Sequence, residues 1–164
     1  GGNRMIDLAD EAASEAFASR IADLAVAGDV IGLSGSLGVG KTVFARAFIR
    51  SLVDSGETVP SPTYTLMQLY DSGPVPIYHY DLYRIESDDE LDELGFEEAL
   101  ADGIALIEWP ERVGGLGGMS RLDLAFSEKD SAQPNQRQVT LLPGAAWHSR
   151  LKDEFSEFAG ALDV

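Results

Sequence analysis

An eight-residue glycine-rich segment constrains this chain more than any other feature. Residues 35–42 read Gly-Ser-Leu-Gly-Val-Gly-Lys-Thr and match the phosphate-binding pattern G-x-x-x-x-G-K-S/T at every fixed position. Glycines allow a tight turn whose N–H groups converge on phosphate oxygens, while the lysine supplies a positive charge and the threonine a hydroxyl for Mg²⁺. An apolar run at Val30–Leu33 precedes the segment, and helical spacing follows from Thr42 to Val53. Strand, glycine loop and helix in this order predict an α/β protein that binds a nucleoside triphosphate. The predicted nucleotide contacts in this segment are Gly35, Ser36, Leu37, Gly38, Val39, Gly40, Lys41, Thr42 and Val43.

Length and composition limit the architecture and the compartment. The 164 residues suffice for one domain, so we predict a single α/β domain over residues 1–164. The chain has no cysteine, which excludes disulfides and thiolate metal sites and agrees with a cytoplasmic location. No apolar run approaches the roughly 18 residues of a membrane span, and no signal segment is evident.

The charge is strongly negative. Lys and Arg total 12 against 28 Asp and Glu, a net charge of −16, so extensive direct binding of nucleic acid is not expected. Eight of the acids lie between Glu86 and Glu98, a stretch without Lys or Arg. They form either a solvated helix face that begins with a capping box at Ser87–Glu90, or a docking patch for a basic partner.

The rest of the chain continues the α/β pattern. Strand-like runs at Tyr64–Tyr70 and Val75–Tyr83 flank a turn at residues 71–74 and predict a hairpin inserted after the nucleotide helix. The other predicted elements are an amphipathic core helix (Asp10–Ala27), a capped acidic helix from Ser87, a buried strand (Ile104–Ile107) that ends at Glu108, two strands (Arg121–Glu128 and Gln138–Leu142), and a closing helix marked by Trp147, Leu151, Phe155 and Phe158.

Two carboxylates are candidates for metal or water binding. Glu108 follows the buried strand, as in a Walker-B arrangement, and ligands collect at such strand ends in open α/β sheets. Asp81 lies on a predicted strand where it shares one face with His79. His79 is either part of the site or a structural hydrogen-bond partner, and Arg84 either neutralises phosphate charge or pairs with acids on the surface.

The hydroxyl-rich segment after the nucleotide helix is a candidate switch. Ser61, Thr63 and Thr65 resemble the residues of loops that close on the γ-phosphate and Mg²⁺ and relax after hydrolysis. The alternative is an ordinary proline-rich connector.

Four ordered motifs together resemble one family, the small bacterial ATPases called TsaE (formerly YjeE). Its hallmarks are Leu-x-Gly-Asp-Leu-Gly-Ala-Gly-Lys-Thr, Ser-Pro-Thr-Tyr, His-Phe-Asp-Leu-Tyr-Arg and Ile-Glu-Trp. They correspond here to Leu33–Thr42, Ser61–Tyr64, His79–Arg84 and Ile107–Trp109. The resemblance covers roughly Val30 to Trp109, half of the chain. The departures are Ser36 in place of an acid, Val39 in place of Ala, and Tyr80 in place of Phe.

The resemblance implies a three-layer P-loop NTPase-like fold with a mixed, mainly parallel sheet. It also implies ATP with Mg²⁺, and a complex with the TsaB and TsaD proteins in which hydrolysis supports threonylcarbamoyladenosine modification of tRNA. Lys41 and Thr42 would hold phosphate and metal, and Asp81 and Glu108 would serve the metal or the attacking water. Trp109 would belong to the same site, or would pack as an apolar filler. Two other functions stay open, a small-molecule P-loop kinase and a nucleotide-sensing module without turnover.

Overall fold

The structure, a computed structural model, describes residues 4–35, 38–53, 59, 66–114, 116, 120–128 and 137–154. The elements within these residues are β1 (Arg4–Leu8), α1 (Glu11–Leu24), β2 (Val30–Ser34), α2 (Gly38–Leu52), β3 (Met67–Tyr70), β4 (Ile77–Asp81), α3 (Asp88–Glu93), α4 (Phe96–Asp102), β5 (Ile104–Glu108), a 3₁₀ turn (Pro110–Arg112), β6 (Arg121–Glu128), β7 (Arg137–Pro143) and α5 (Ala145–Glu154). None of the described helices is long and apolar enough to cross a membrane.

The seven strands form one mixed sheet in the order β1-β7-β6-β2-β5-β4-β3. The central strands β6, β2, β5 and β4 are parallel to one another. Antiparallel pairs flank them, β3 with β4 on one side, and β7 with both β6 and β1 on the other. This confirms the predicted α/β class with its mixed sheet and parallel centre. The predicted hairpin is β3–β4, and its second strand lies in the parallel centre beside β5.

Helices cover both faces of the sheet and produce three layers. β2 and β5 are buried along almost their whole length, as expected for parallel strands covered on both sides. One face packs against α1, α2 and α5, where Phe44 of α2 lies 5.9 Å from Phe17 and 5.8 Å from Phe126 between ring centroids. The other face packs against α3 and α4.

The acidic segment forms two short helices instead of one. Gly95 lies between α3 and α4 with φ 80° and ψ 28°, a left-handed conformation that glycine adopts without cost. Leu91 and Phe96 are both buried, and in a continuous helix they would lie about 140° apart, so the break lets both face the core. The predicted capping box is wrong: the Ser87 side chain caps no N–H, and Glu90 accepts a hydrogen bond from Glu86 N at 3.4 Å.

A buried tyrosine ties this helix pair to the sheet. The Tyr80 hydroxyl of β4 donates to the carbonyl of Leu94 at 3.1 Å, next to the break between α3 and α4. Burial raises the pKa of Tyr80 well above its ordinary value, so the hydroxyl remains a donor. The acidic surface is therefore attached to the strand that carries Asp81.

An ion pair anchors α5 at the amino end of β2. Asp29 is 1% exposed, and its two carboxylate oxygens accept from Arg150 Nη1 at 2.7 Å and Nη2 at 3.2 Å. Arg150 Nη1 also donates to the carbonyl of Leu24 at 3.2 Å, and the guanidinium lies 4.7 Å from the Trp147 ring centroid. The predicted helix residues Phe155 and Phe158 lie outside the described residues.

Candidate functional site

Asp81, Glu108 and Trp109 lie at the edge of the sheet where β2, β4 and β5 end, which we call the carboxyl edge. Gly35 follows β2 with φ 107°. A Cβ added there would collide with the carbonyl oxygen of Phe126 and lie 2.8 Å from its nitrogen, so only glycine fits. Gly38 begins α2, and Gly40 in its first turn is buried. Gly35 and the start of α2 therefore have the close backbone approach that a phosphate loop requires. Ser36 and Leu37 lie outside the described residues.

Lys41 is buried at the start of α2 and is 3% exposed. Its Nζ lies 4.2 Å from the ring centroid of Trp109, and within the described part of the chain it forms no salt bridge. A buried ammonium without a carboxylate partner is costly, and this cost is relieved by an anionic ligand. Thr42 beside it is exposed, and Val43 is buried.

Two carboxylates lie side by side on neighbouring strands. Asp81 and Glu108 are Cα partners in the parallel pairing of β4 with β5, and each is the last residue of its strand. Partners in register project to the same face of a sheet, here the face that α2 covers. Asp81 is 7% exposed and its Oδ1 accepts from Tyr83 N at 3.0 Å, which fixes one carboxylate oxygen.

The buried histidine predicted near Asp81 contacts the other carboxylate. His79 Nε2 lies 2.9 Å from Glu108 Oε2, and the two side chains are 2% and 12% exposed. Among the described residues no group of three or more His, Cys, Asp and Glu side chains is arranged to hold a metal ion. A divalent cation at this edge would therefore need oxygens from a bound ligand as well as from the protein.

Trp109 links the buried lysine to the surface. Its backbone adopts a left-handed conformation (φ 63°, ψ 51°), and its backbone N–H donates to the carbonyl of Leu33 at 3.3 Å. The ring centroids of Trp109 and Tyr83 are 5.1 Å apart. The guanidinium carbon of Arg112 lies 5.3 Å from the Tyr83 centroid. Sequence pattern does not predict the stacking of Tyr83 and Arg112, because the two residues come from segments with no common pattern.

A cavity of about 470 Å³ lies beside the start of α2. Its volume is in the range of small-ligand sites. The sequence predicts α1 as a core helix and not as part of a site, yet its first turn forms one wall of this cavity. No local motif marks Arg137 on β7. The lining residues are Asp10, Glu11, Ala12, Ser14, Gly40, Val43 and Arg137.

Two further predictions concern the surroundings of the site. The predicted switch residues Ser61, Thr63 and Thr65 lie outside the described residues. Arg84, three residues beyond the end of β4, is exposed.

The sheet order, the glycine turn and the carboxyl edge define the class of this protein as an α/β fold of the P-loop NTPase type. The solved structure of Bacillus subtilis YdiB is similar to it, with a TM-score of 0.74 and 26% identity over 96% of both chains.

The family model described as threonylcarbamoyl adenosine biosynthesis protein TsaE matches residues 8–139. The chain belongs to the TsaE family. Two relatives bear the name tRNA threonylcarbamoyladenosine biosynthesis protein TsaE. The Bacillus subtilis protein is 33% identical over 144 residues, 87% of each chain. The Rickettsia felis protein is 42% identical over 107 residues, 65% of this chain and 63% of that protein. The match thus spans less than two thirds of the Rickettsia felis protein.

Proposed function

We propose that this protein binds ATP with Mg²⁺ at the carboxyl edge and hydrolyses the β–γ phosphoanhydride, in support of threonylcarbamoyladenosine modification of tRNA by TsaB and TsaD in the cytoplasm. The register of β4 and β5 carries the proposal, because it sets Asp81 beside Glu108 at the edge where α2 begins. Membership in the TsaE family supports the role in tRNA modification.

The residues of the phosphate loop fit a triphosphate. Gly35 leaves space for backbone alone, so N–H groups can approach phosphate oxygens closely. The N-terminus of α2 adds a favourable dipole for an anion. Lys41 supplies a cation that has no carboxylate partner among the described residues. On binding, Lys41 exchanges the Trp109 ring for phosphate oxygens, which are stronger partners for an ammonium.

Thr42, Asp81 and Glu108 are the residues that would hold Mg²⁺. When bound with ATP, Mg²⁺ neutralises charge on the β- and γ-phosphates. Mg²⁺ usually keeps several waters and binds through one or two carboxylates together with phosphate oxygens. The lack of a three-ligand group among the described residues is consistent with a cation that binds together with the nucleotide. Asp81 and Glu108 each have one oxygen held by a protein N–H group, which leaves one oxygen of each for metal or water.

We assign the nucleoside to the cavity beside α2. It adjoins Gly40 and Val43 of the phosphate-loop helix, and the first turn of α1 forms another wall. Its volume of about 470 Å³ suffices for a base and a ribose.

The test of nucleotide binding is Lys41→Met, which keeps the apolar stem and removes the charge. A lost charged hydrogen bond costs about 1.5–3 kcal/mol, so ATP affinity should fall by about ten- to a hundredfold. Isothermal titration with ATP and Mg²⁺ measures this, and circular dichroism checks the fold. Lys152→Met, at an exposed lysine of α5, is the control and should bind as wild type does. Wild-type affinity in Lys41→Met would refute the assigned phosphate site.

Single-turnover hydrolysis separates the proposed function from its alternatives. ADP should form slowly with the isolated chain and faster when TsaB and TsaD are added. ATP binding without ADP formation, even with both partners, would identify a nucleotide-sensing module. ADP formation that requires an added small acceptor molecule would identify a kinase.

A further inference from the structure

His79 is held rigidly within the sheet. It lies in the middle of β4, with Gln68 of β3 and Leu106 of β5 as its Cα partners on either side. Its side chain is 2% exposed, and the neighbouring positions of this face belong to the apolar core around α2. The imidazole therefore has little freedom to leave its position.

The hydrogen bonds of the ring define its tautomer. Nε2 lies 2.9 Å from Glu108 Oε2, and a carboxylate oxygen accepts, so the proton of this bond is on Nε2. Nδ1 is buried and has no hydrogen-bond partner in the described structure. A bare lone pair at that position costs less than an unpaired N–H, so the tautomer with its proton on Nε2 fits best.

We propose that His79 is a positioning residue for Glu108, an inference that rests on the function proposed above. Its Nε2–H holds Oε2 and so fixes the carboxylate plane. The second oxygen, Oε1, accepts no hydrogen bond from a described residue and is the oxygen that serves metal or water. This role differs from a purely structural one because it predicts energetic coupling between His79 and Glu108 in turnover.

The first experiment is a double-mutant cycle in kcat for ATP hydrolysis, with TsaB and TsaD present. His79→Leu keeps the volume and removes the donor, and kcat should fall about 10- to 100-fold, as for other groups that orient a ligand residue. KM for ATP should change by less than about threefold, since the phosphate loop is unaltered. In a Glu108→Gln background the same substitution should lower kcat by less than about twofold, because residues that act as a unit are not additive. Equal losses in both backgrounds would overturn the positioning role.

Two amides refine the test. In His79→Gln the amide nitrogen reaches the position of Nε2 and should restore most of the turnover. The side chain of His79→Asn is one bond shorter and brings its amide nitrogen near the position of Nδ1, so its turnover should stay as low as that of His79→Leu. Equal turnover in the two variants would contradict the inference. Absence of turnover in the wild type would refute the proposed function, whereas wild-type turnover in His79→Leu would overturn only the positioning role.

The second experiment does not depend on activity. The chain has two histidines, so ¹H–¹⁵N spectra of the ring nitrogens are simple to assign with a His148→Gln variant. The proton of His79 should be on Nε2 in the nucleotide-free protein, and its shift should change in Glu108→Gln. A ring with no proton on Nε2 would overturn the inference.

Discussion

At the scale of single residues, the site depends on backbone conformations that most side chains avoid. Among the described residues, the non-glycine positions with positive φ are Leu66 and Trp109. Each holds the end of a site strand, since the Leu66 carbonyl accepts from Asp81 N at 2.9 Å and Trp109 N donates to Leu33. Such conformations cost about 1–3 kcal/mol each and persist where the surroundings enforce them. Part of the folding free energy therefore maintains the carboxyl edge.

Gly35→Ala tests the tightest of these positions. The new methyl group would collide with the Phe126 backbone and impose a strained φ, so the free energy of unfolding should fall by at least about 1–3 kcal/mol. Nucleotide affinity should fall as well, because the loop must move. Urea unfolding measures the loss. Gly114→Ala is the control, since nothing lies within 4 Å of its added Cβ, and the change there should stay within about 0.5 kcal/mol. Similar losses in both variants would contradict the argument.

Asp81→Asn and Glu108→Gln test the two carboxylates. Each substitution replaces a carboxylate with an amide of the same size, so nucleotide binding should change little while hydrolysis falls by about 100-fold or more. Asp81→Asn also keeps an Oδ1 that accepts from Tyr83 N, whereas Asp81→Ala loses it and should unfold about 1 kcal/mol more easily. Single-turnover kinetics and urea unfolding measure the two effects. Wild-type turnover in either amide variant would return that residue to a structural role.

At the scale of elements, local pattern predicted most of the structure. One motif predicts the strand and the helix around Lys41, and the end of a buried strand predicts Glu108 as a site residue. Asp81 follows from the face that it shares with His79 on a predicted strand. The register that makes them neighbours was not predictable, because a slip of one residue would have placed one of them on the other face. The contact of His79 with Glu108 depends on that same register.

Two elements show where local pattern is insufficient. We did not predict β1, since Arg4–Leu8 is a short run whose strand state depends on pairing with β7 far along the chain. The sequence predicts one capped helix where the structure has α3 and α4. The acidic residues dominate the pattern, so it does not indicate that side chains on both sides of Gly95 must be buried. α1 ends at Leu24 instead of Ala27, with Ala25 already extended.

Arg150→Met tests the anchor of α5. It leaves Asp29 buried without its cation, so the free energy of unfolding should fall by about 3–5 kcal/mol. When Asp29→Asn is combined with Arg150→Met, part of the lost free energy of unfolding should be recovered, because the unpaired charge is removed. ATP affinity should not change, since Asp29 precedes β2 and the phosphate loop follows it. Urea unfolding and titration with ATP measure both, with Lys152→Met as the control on the same helix. A loss of affinity with unchanged stability would contradict the anchor role.

At the scale of the whole molecule, the charge of −16 governs association. Four of the five acids of α3 are exposed, and α3 is attached through Leu94 and Tyr80 to the strand that ends at Asp81. We predict that this acidic surface docks on a basic surface of the TsaB–TsaD complex. Reversal of four charges, at Asp88, Asp89, Asp92 and Glu93, should slow association by about tenfold or more at low salt.

Salt and matched variants define the test. Association should weaken as salt rises, because exposed charges are screened beyond about 8 Å at physiological ionic strength. Surface plasmon resonance at several salt concentrations measures the rates. An equal number of reversals at other exposed acids, Asp23, Asp71, Glu128 and Asp153, controls for net charge alone. Equal slowing in the two sets would return α3 to a merely solvated surface. Tight tRNA binding by the isolated chain would refute the docking model.

The position of β1 has a consequence for how the protein is made. β1 spans Arg4–Leu8 but pairs with Arg137–Leu141, and Asp7 Oδ1 accepts from Gln138 Nε2 at 3.1 Å across 131 positions of sequence. A ribosome adds about 5–20 residues per second, so the first strand waits roughly 6–26 s for its partner to be synthesised. During that interval β2 and α2 can already fold against β4 and β5, while β1 remains unpaired beside a sheet that still lacks β6 and β7. During that interval the side chains of β1 that are buried in the folded protein, Ile6 and Leu8, lack the partner strand that covers them, and such transiently exposed apolar groups favour aggregation.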